Sequence, residues 1–217
     1  MDSRFEAEKE RAARAAATLV EPGMVLGLGT GSTVAYLLPA LAERTLDITC
    51  VATSVATERA ARSLGLGVVA FRGIDHLDLA IDGADQVDPS GWLIKGGGGA
   101  HTREKIVAAA ADRFVVIVSS NKLVDRLDPP VPLELMAFGI DVVRRVIPGI
   151  ELRGGARSPD DGVLADYHGE VSDPERLAAH FARQPGIVDH GLFPPELVSS
   201  VLIGRSDLVE TRLINSE

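Results

Sequence analysis

The sequence predicts an α/β protein: an open, mostly parallel sheet with helices on both faces, followed by a smaller α+β unit. Three observations predict it. Short apolar runs alternate with helix-period segments over residues 4–118, the order that builds a parallel sheet between helical layers. Several runs stop at glycine or small polar residues, at the strand ends where open α/β sheets bind ligands. The alternation then breaks at Asp128-Pro129-Pro130-Val131-Pro132, a run that cannot continue a helix or a central strand.

The elements follow in order. Phe5, Ala12, Ala13, Ala16, Leu19 and Val20 recur near the helical period, so residues 4–20 read as an amphipathic helix ended by Pro22-Gly23. Met24 to Leu28 is a short apolar run before glycines, the pattern of a buried parallel strand. A helix is expected over Thr33 to Leu41, with a kink or early stop at Pro39. Strands follow at Ile48 to Ala52, Val68 to Phe71, Leu79 to Ile81 and Phe114 to Val118, with helices at 55–64 and Thr102 to Ala111. Gly65 closes the first of these helices. Beyond the prolines come a helix at about 137–147, strands at Glu151 to Arg153 and Val163 to Tyr167, and a helix started by Asp173-Pro174. Ile187 to His190 is a further strand, and Val201 to Ile203 is expected to return to the main sheet.

Composition excludes several functions. With 46% hydrophobic and 24% charged residues the chain reads as an ordinary globular protein. Its net charge of −9 argues against a nucleic-acid binder, which needs a basic footprint, and against anionic membranes. An anionic ligand must therefore be held by a few local cations and backbone N–H groups. One cysteine, Cys50, allows neither an internal disulfide nor a multi-cysteine zinc site. No apolar run is long enough to span a membrane, and the charged N-terminus lacks a signal-peptide core, so a cytoplasmic location is expected. His76, His101, His168, His180 and His190 are not at zinc spacings and no HExxH occurs, so no metal is expected.

Four clusters could carry chemistry, each after a strand. Gly27-Leu28-Gly29-Thr30-Gly31-Ser32-Thr33 leads into a helix. Glycines permit a tight turn and close approach, and the helix N-terminus offers donors to an anion. A dinucleotide fingerprint fails in both registers, because Ser32 or Val34 stands where its last glycine belongs. A phosphate cradle remains, against a plain turn capped by Ser32. Asp82-Gly83-Ala84-Asp85 could bind sugar hydroxyls or move their protons, or could be a self-bonded turn. Lys95-Gly96-Gly97-Gly98-Gly99 is followed by Glu104. Four glycines cost conformational entropy that a mere connector would not need. Ser119-Ser120-Asn121-Lys122 supplies a candidate anion ligand, Lys122. Convergence of four clusters on one sheet edge is stronger than any one alone.

Together, Gly-Thr-Gly-Ser-Thr at 29–33, Asp-Gly-Ala-Asp at 82–85, Lys-Gly-Gly-Gly at 95–98, Arg-Glu-Lys-Ile at 103–106 and Ser-Asn-Lys at 120–122 resemble the ribose-5-phosphate isomerase type A family. Asp166-Tyr167-His168-Gly169, Pro185-Gly186-Ile187-Val188, Gly191-Leu192-Phe193 and Val201-Leu202-Ile203-Gly204 extend the resemblance over nearly the whole chain. It implies an aldose–ketose isomerase that interconverts ribose 5-phosphate and ribulose 5-phosphate through an enediolate, without a cofactor, in the non-oxidative pentose phosphate pathway. Glu104 is then the general base, with Lys95 and Asp82 in the catalytic set. Thr30, Gly31, Ser32, Thr33, Asp82, Gly83, Ala84, Asp85, Lys95, Gly96, Gly97, Gly98 and Lys122 match substrate-binding segments, and Lys9 matches a phosphate-binding lysine. The family also implies a homodimer or homotetramer. Residues 1–128 and 201–217 would form a Rossmann-like catalytic domain, and 129–200 a small α+β domain. Pro39 and a short Asp160-Asp161-Gly162 turn depart from the family pattern. Two rival classes share related folds: a non-catalytic sugar-phosphate sensor and an acyl or coenzyme A transferase. The first would need a DNA-binding unit, for which the residues before the first strand are too few. The second would need a thioester-accepting site and usually a larger chain.

Overall fold

The computed structural model describes residues 3–215. Helix α1 (Ser3–Ala17) leads into strand β1 (Val25–Leu28), helix α2 (Val34–Ala42), strand β2 (Thr49–Ala52), helix α3 (Val55–Ser63) and strand β3 (Gly67–Val68). Next come β4 (Leu77–Asp82), two short strands β5 (Gln86–Val87) and β6 (Leu93–Ile94), helix α4 (His101–Ala109) and β7 (Ala111–Ser119). A second region holds β8 (Val131–Leu135), α5 (Ile140–Val146), β9 (Ile150–Arg157), β10 (Val163–Tyr167), α6 (Pro174–Arg183), β11 (Ile187–His190) and β12 (Leu192–Phe193). Strands β13 (Ser200–Gly204) and β14 (Val209–Leu213) close the chain.

The main sheet has seven strands in the order β14-β13-β7-β4-β1-β2-β3. Every pair in it is parallel except β13 with β14. Side chains alternate along β7: Val115 and Ile117 join the core under α1 and α2, while Phe114, Val116 and Val118 join the core under α4. This two-residue period lets one β-branched run serve both layers. Four antiparallel strands, β11-β8-β10-β9, form a second sheet with its own core around Leu133, Leu135, Val143, Ala165 and Phe181.

Three expectations need correction. Of the kink or early stop expected at Pro39, the early stop does not occur, and the helix runs on to Ala42. Pro39 and Ala35 both lie on the exposed face, so the Ala35 carbonyl that loses its partner can take water, while buried Leu37, Leu38 and Leu41 hold the helix down. The strand at Val68 to Phe71 shrinks to Gly67–Val68. Val69 N still donates to Cys50 O at 2.9 Å, but Val69 is 42% exposed and Phe71 begins a turn closed by Ile74 N. The third concerns Pro132, which sits inside β8, a central strand. Gly191 N donates to Pro132 O at 2.7 Å, and the facing Gly191 carbonyl accepts from Lys95 N at 2.8 Å. A neighbouring segment thus supplies the donor that proline lacks.

The end of β13 lies hard against α1. A Cβ on Gly204 would stand 1.9 Å from the Glu8 carbonyl oxygen, a backbone atom that cannot swing aside. Gly204→Ala should therefore push α1 off the sheet and destabilise the protein by about 1–3 kcal/mol. The check is a lower urea midpoint at unchanged slope.

Candidate active site

The site forms where the sheet changes direction. Strand β1 has β2 on one side and β4 on the other, so the chain winds away from β1 both ways and leaves a crevice at the strands' carboxyl ends. The loops after β1 and β4 meet there. Asp82 ends β4 and is 3% exposed. Its Oδ1 accepts from Thr30 N at 3.0 Å and Gly83 N at 2.7 Å, and its Oδ2 accepts from Lys95 Nζ at 2.8 Å. Gly29 permits this contact, because a Cβ there would lie 1.9 Å from the Asp82 carboxyl. Asp82 thus lies behind the cavity wall, with both oxygens engaged.

Thr30, Gly31, Ser32 and Thr33 form one wall of the cavity, at the start of α2. Thr33 occupies the N-cap position but makes no side-chain capping bond, so Ser32 is not the cap. The Thr30 hydroxyl turns away to Ser54 Oγ at 2.7 Å and Thr57 Oγ1 at 2.9 Å, and Thr57 in turn donates to Gly29 O. Gly83, Ala84 and Asp85 form the next wall, and Asp85 Oδ2 accepts from Gly97 N at 2.8 Å.

Gly96, Gly97 and Gly98 complete the lining, with Gly97 against Asp85 and Gly98 beside Thr30. Gly96 (φ +103°) and Gly99 (φ +77°) adopt backbone that disfavours a side chain. Space forbids one as well: a Cβ would lie 2.7 Å from His101 Nδ1 at Gly96 and 2.3 Å from Leu164 Cδ1 at Gly99. His101 is fully buried beneath this loop. Burial, with the Lys105 charge nearby, holds its imidazole neutral, with the pKa lowered to about 3.

Lys95 and Glu104 are 2% and 4% exposed. Lys95 Nζ stands 3.1 Å from Glu104 Oε2, yet that oxygen has no aligned hydrogen bond among the described residues. One ammonium faces two carboxylates out of water. Burial pushes Lys95 down, but Asp82 and Glu104 together hold it above the ordinary lysine range. Burial raises Asp82, against the pull of Lys95. Burial and the Asp82 charge raise Glu104 to about 7, with Lys95 opposing. A carboxylate paired with the lysine and a second one left near neutrality is an arrangement suited to proton transfer at ordinary pH.

Lys122, on a short turn after β7, lines the cavity and has no hydrogen-bond or ion-pair partner among the described residues. The turn is held from behind by buried Glu8, which accepts from Ser120 N at 2.8 Å and Ser120 Oγ at 2.6 Å. Lys9 is placed differently: its Nζ pairs with Glu6 Oε1 at 2.8 Å, and it is not on the cavity wall. Sequence reasoning missed Glu8, Ser54, Thr57 and the Arg153–Asp166 pair, whose Arg153 reaches the glycine loop. Only Ser54, a standard N-cap type ahead of α3, carried a local signal. Among the described residues one cluster could hold a metal: His76, Asp78 and Asp112. It is exposed but for half-buried Asp78 and sits at the amino ends of β4 and β7, the end of the sheet opposite this cavity.

Comparison with known proteins agrees with the geometry. The family model described as Ribose 5-phosphate isomerase A (phosphoriboisomerase A) matches residues 49–208. A DeoR C terminal sensor domain model matches only residues 4–68, which stop before the glycine loop, Glu104 and Lys122. Ribose-5-phosphate isomerase A of Roseiflexus sp. (strain RS-1) is 42% identical, covering 93% of this chain and 94% of that protein. The protein of that name from Methanosarcina acetivorans is 43% identical, covering 92% and 91%. The crystal structure of ribose 5 phosphate isomerase A from Neisseria gonorrhoeae superposes with a TM-score of 0.93 at 30% identity, covering 98% of each chain. A D-ribose-5-phosphate isomerase in complex with phospho-erythronic acid superposes at 0.91 with 32% identity, covering 96% and 99%. Sheet order, cavity and relatives lead to one assignment: this chain belongs to the ribose 5-phosphate isomerase A family and is an aldose–ketose isomerase of ribose 5-phosphate.

Proposed function

We propose that Glu104 is the base that moves the proton between C2 and C1 as D-ribose 5-phosphate becomes D-ribulose 5-phosphate through a cis-enediolate. The observation that carries this is a buried carboxyl on the cavity wall whose pKa lies at about 7 and whose Oε2 lacks an aligned hydrogen bond. Such a group takes a proton readily and returns it. It removes the C2 proton and delivers it to C1 on the same face, while O2 loses its hydroxyl proton and O1 gains one. Asp85 lines the cavity and uses only Oδ2 for Gly97, so it is the better group to carry that oxygen-bound proton. Asp82, with both oxygens engaged, acts through Lys95, which faces the developing negative charge.

The phosphate is assigned to the wall of residues 30–33 and to Lys122, an unpaired cation beside a helix start. This tether fixes the sugar's reacting end against Glu104. Lys9 could join only by exchanging Glu6 for the phosphate. Phospho-erythronic acid, bound by one relative, is a four-carbon phosphate with a carboxylate at its other end; we infer that this cavity accepts it. Residues 1–128 with 201–217 are read as the catalytic domain and 129–200 as the smaller one. A homodimer or homotetramer is supported by an apolar stripe at Phe138, Val142 and Val146, with Phe138 99% exposed. Among the described residues no helix is long and apolar enough to cross a membrane. A cytoplasmic enzyme of the non-oxidative pentose phosphate pathway is the setting this reading favours.

Glu104→Gln should lower kcat by roughly 10²–10⁴-fold while phospho-erythronic acid still binds; substantial turnover in the folded variant removes Glu104 from this role. Because a carboxyl with a raised pKa is protonated below it, kcat/KM should fall as pH drops through about 7. Asp82→Asn should move that limb to lower pH by removing a like charge. Lys122→Ala should raise KM for ribose 5-phosphate about tenfold or more at nearly constant kcat, read from steady-state rates.

A further inference from the structure

We propose that Arg153 is a positioning residue that aims the Gly98 N–H at the oxygen on which negative charge develops; this rests on reading the glycine loop as substrate-binding. Arg153 lies on β9, in the second sheet, and reaches across to the loop on the catalytic side. Its Nε and Nη2 donate to Asp166 Oδ2 and Oδ1 at 2.7 and 2.6 Å. That fork fixes the guanidinium plane. The remaining nitrogen, Nη1, donates to Gly96 O at 3.0 Å and to Gly97 O at 3.1 Å.

These two bonds set the direction of two peptide planes. A trans peptide points its N–H opposite to its C=O. In the Gly96–Gly97 peptide the carbonyl is on Arg153, and the N–H is on Asp85 Oδ2 at 2.8 Å, on the cavity wall. The Gly97–Gly98 peptide also gives its carbonyl to Arg153. Its N–H, that of Gly98, is therefore turned away from Arg153 toward the cavity that Gly98 lines, and it has no protein acceptor among the described residues. Gly99 N, by contrast, is taken up by Gly96 O at 3.0 Å. The Gly98 N–H is thus left without a protein acceptor, at the cavity that Lys95 and Glu104 also line. Glycine peptides turn easily, so without Arg153 nothing in the loop's own sequence would hold this plane. Lysine cannot substitute fully, since a single ammonium lacks the planar fork that grips Asp166 and both carbonyls together.

The test is steady-state kinetics with ribose 5-phosphate on Arg153→Ala and Arg153→Lys, with folding checked by thermal melting. Misplacing the donor should lower kcat on the order of 10²-fold in Arg153→Ala with KM little changed. Arg153→Lys should fall between that variant and the wild type, and millimolar guanidinium ion should restore part of the kcat of Arg153→Ala. Wild-type kcat in folded Arg153→Ala, or a loss that neither lysine nor guanidinium relieves, overturns the proposal. Should Arg153→Ala fail to fold, Arg153→Lys decides by itself: a lowered kcat at an unchanged melting temperature supports the clamp, and wild-type kcat refutes it. Failure of the substrate-binding reading would show elsewhere, as full activity in Gly98→Pro, which deletes the N–H while leaving Arg153 in place.

Discussion

Everything in the site depends on the contact between Asp82 and Lys95. Their side chains are 4% and 3% exposed, and an ion pair so dry survives only if its remaining hydrogen-bonding capacity is filled. Backbone N–H groups of Thr30 and Gly83 fill it on the Asp82 side, and that requirement pins the β1 loop to the β4 loop. Lys95 in turn brings the start of the glycine loop to the same point, and its second carboxylate neighbour is Glu104. One buried charge pair therefore fixes three segments that are far apart in sequence. Glu104 owes its raised proton affinity first to burial and then to the charge of Asp82, the carboxylate that the same ammonium already serves.

The glycines are a consequence of this packing more than of flexibility. Gly29 exists to let Asp82 approach, and Gly96 and Gly99 to let the loop lie on His101 and Leu164. Each is a position where a methyl group has no room. The loop is thus close-packed on its outer side and open only toward the cavity, so its backbone donors are held while the ligand space stays clear.

Much of this was legible in the sequence, for identifiable reasons. The strand-and-helix alternation showed itself because each buried parallel strand is a short apolar run, and the strand at Val163 to Tyr167 is placed to the residue. The polar clusters were legible because glycine, aspartate and lysine at strand ends are unusual enough to stand out. Pro39 and Pro132 misled because their cost depends on surroundings: an exposed carbonyl in one case and a borrowed donor from Lys95 in the other. Arg153 could not be found at all. Its partners lie 56 and 57 positions away along the chain, and an arginine in an ordinary strand carries no local mark. Lys9 shows the reverse case, a residue suggested by resemblance whose ammonium the fold hands to Glu6.

The place of β13 has a consequence for biosynthesis. It pairs in parallel with β7, lies between β7 and β14, and packs under α1. During translation, then, the apolar flank of β7 must wait for about eighty further residues before its neighbour emerges from the ribosome, a delay of several seconds at ordinary elongation rates. Through that interval the nascent chain presents an unpaired β-branched edge, the kind of surface that chaperones shield and that neighbouring chains can capture.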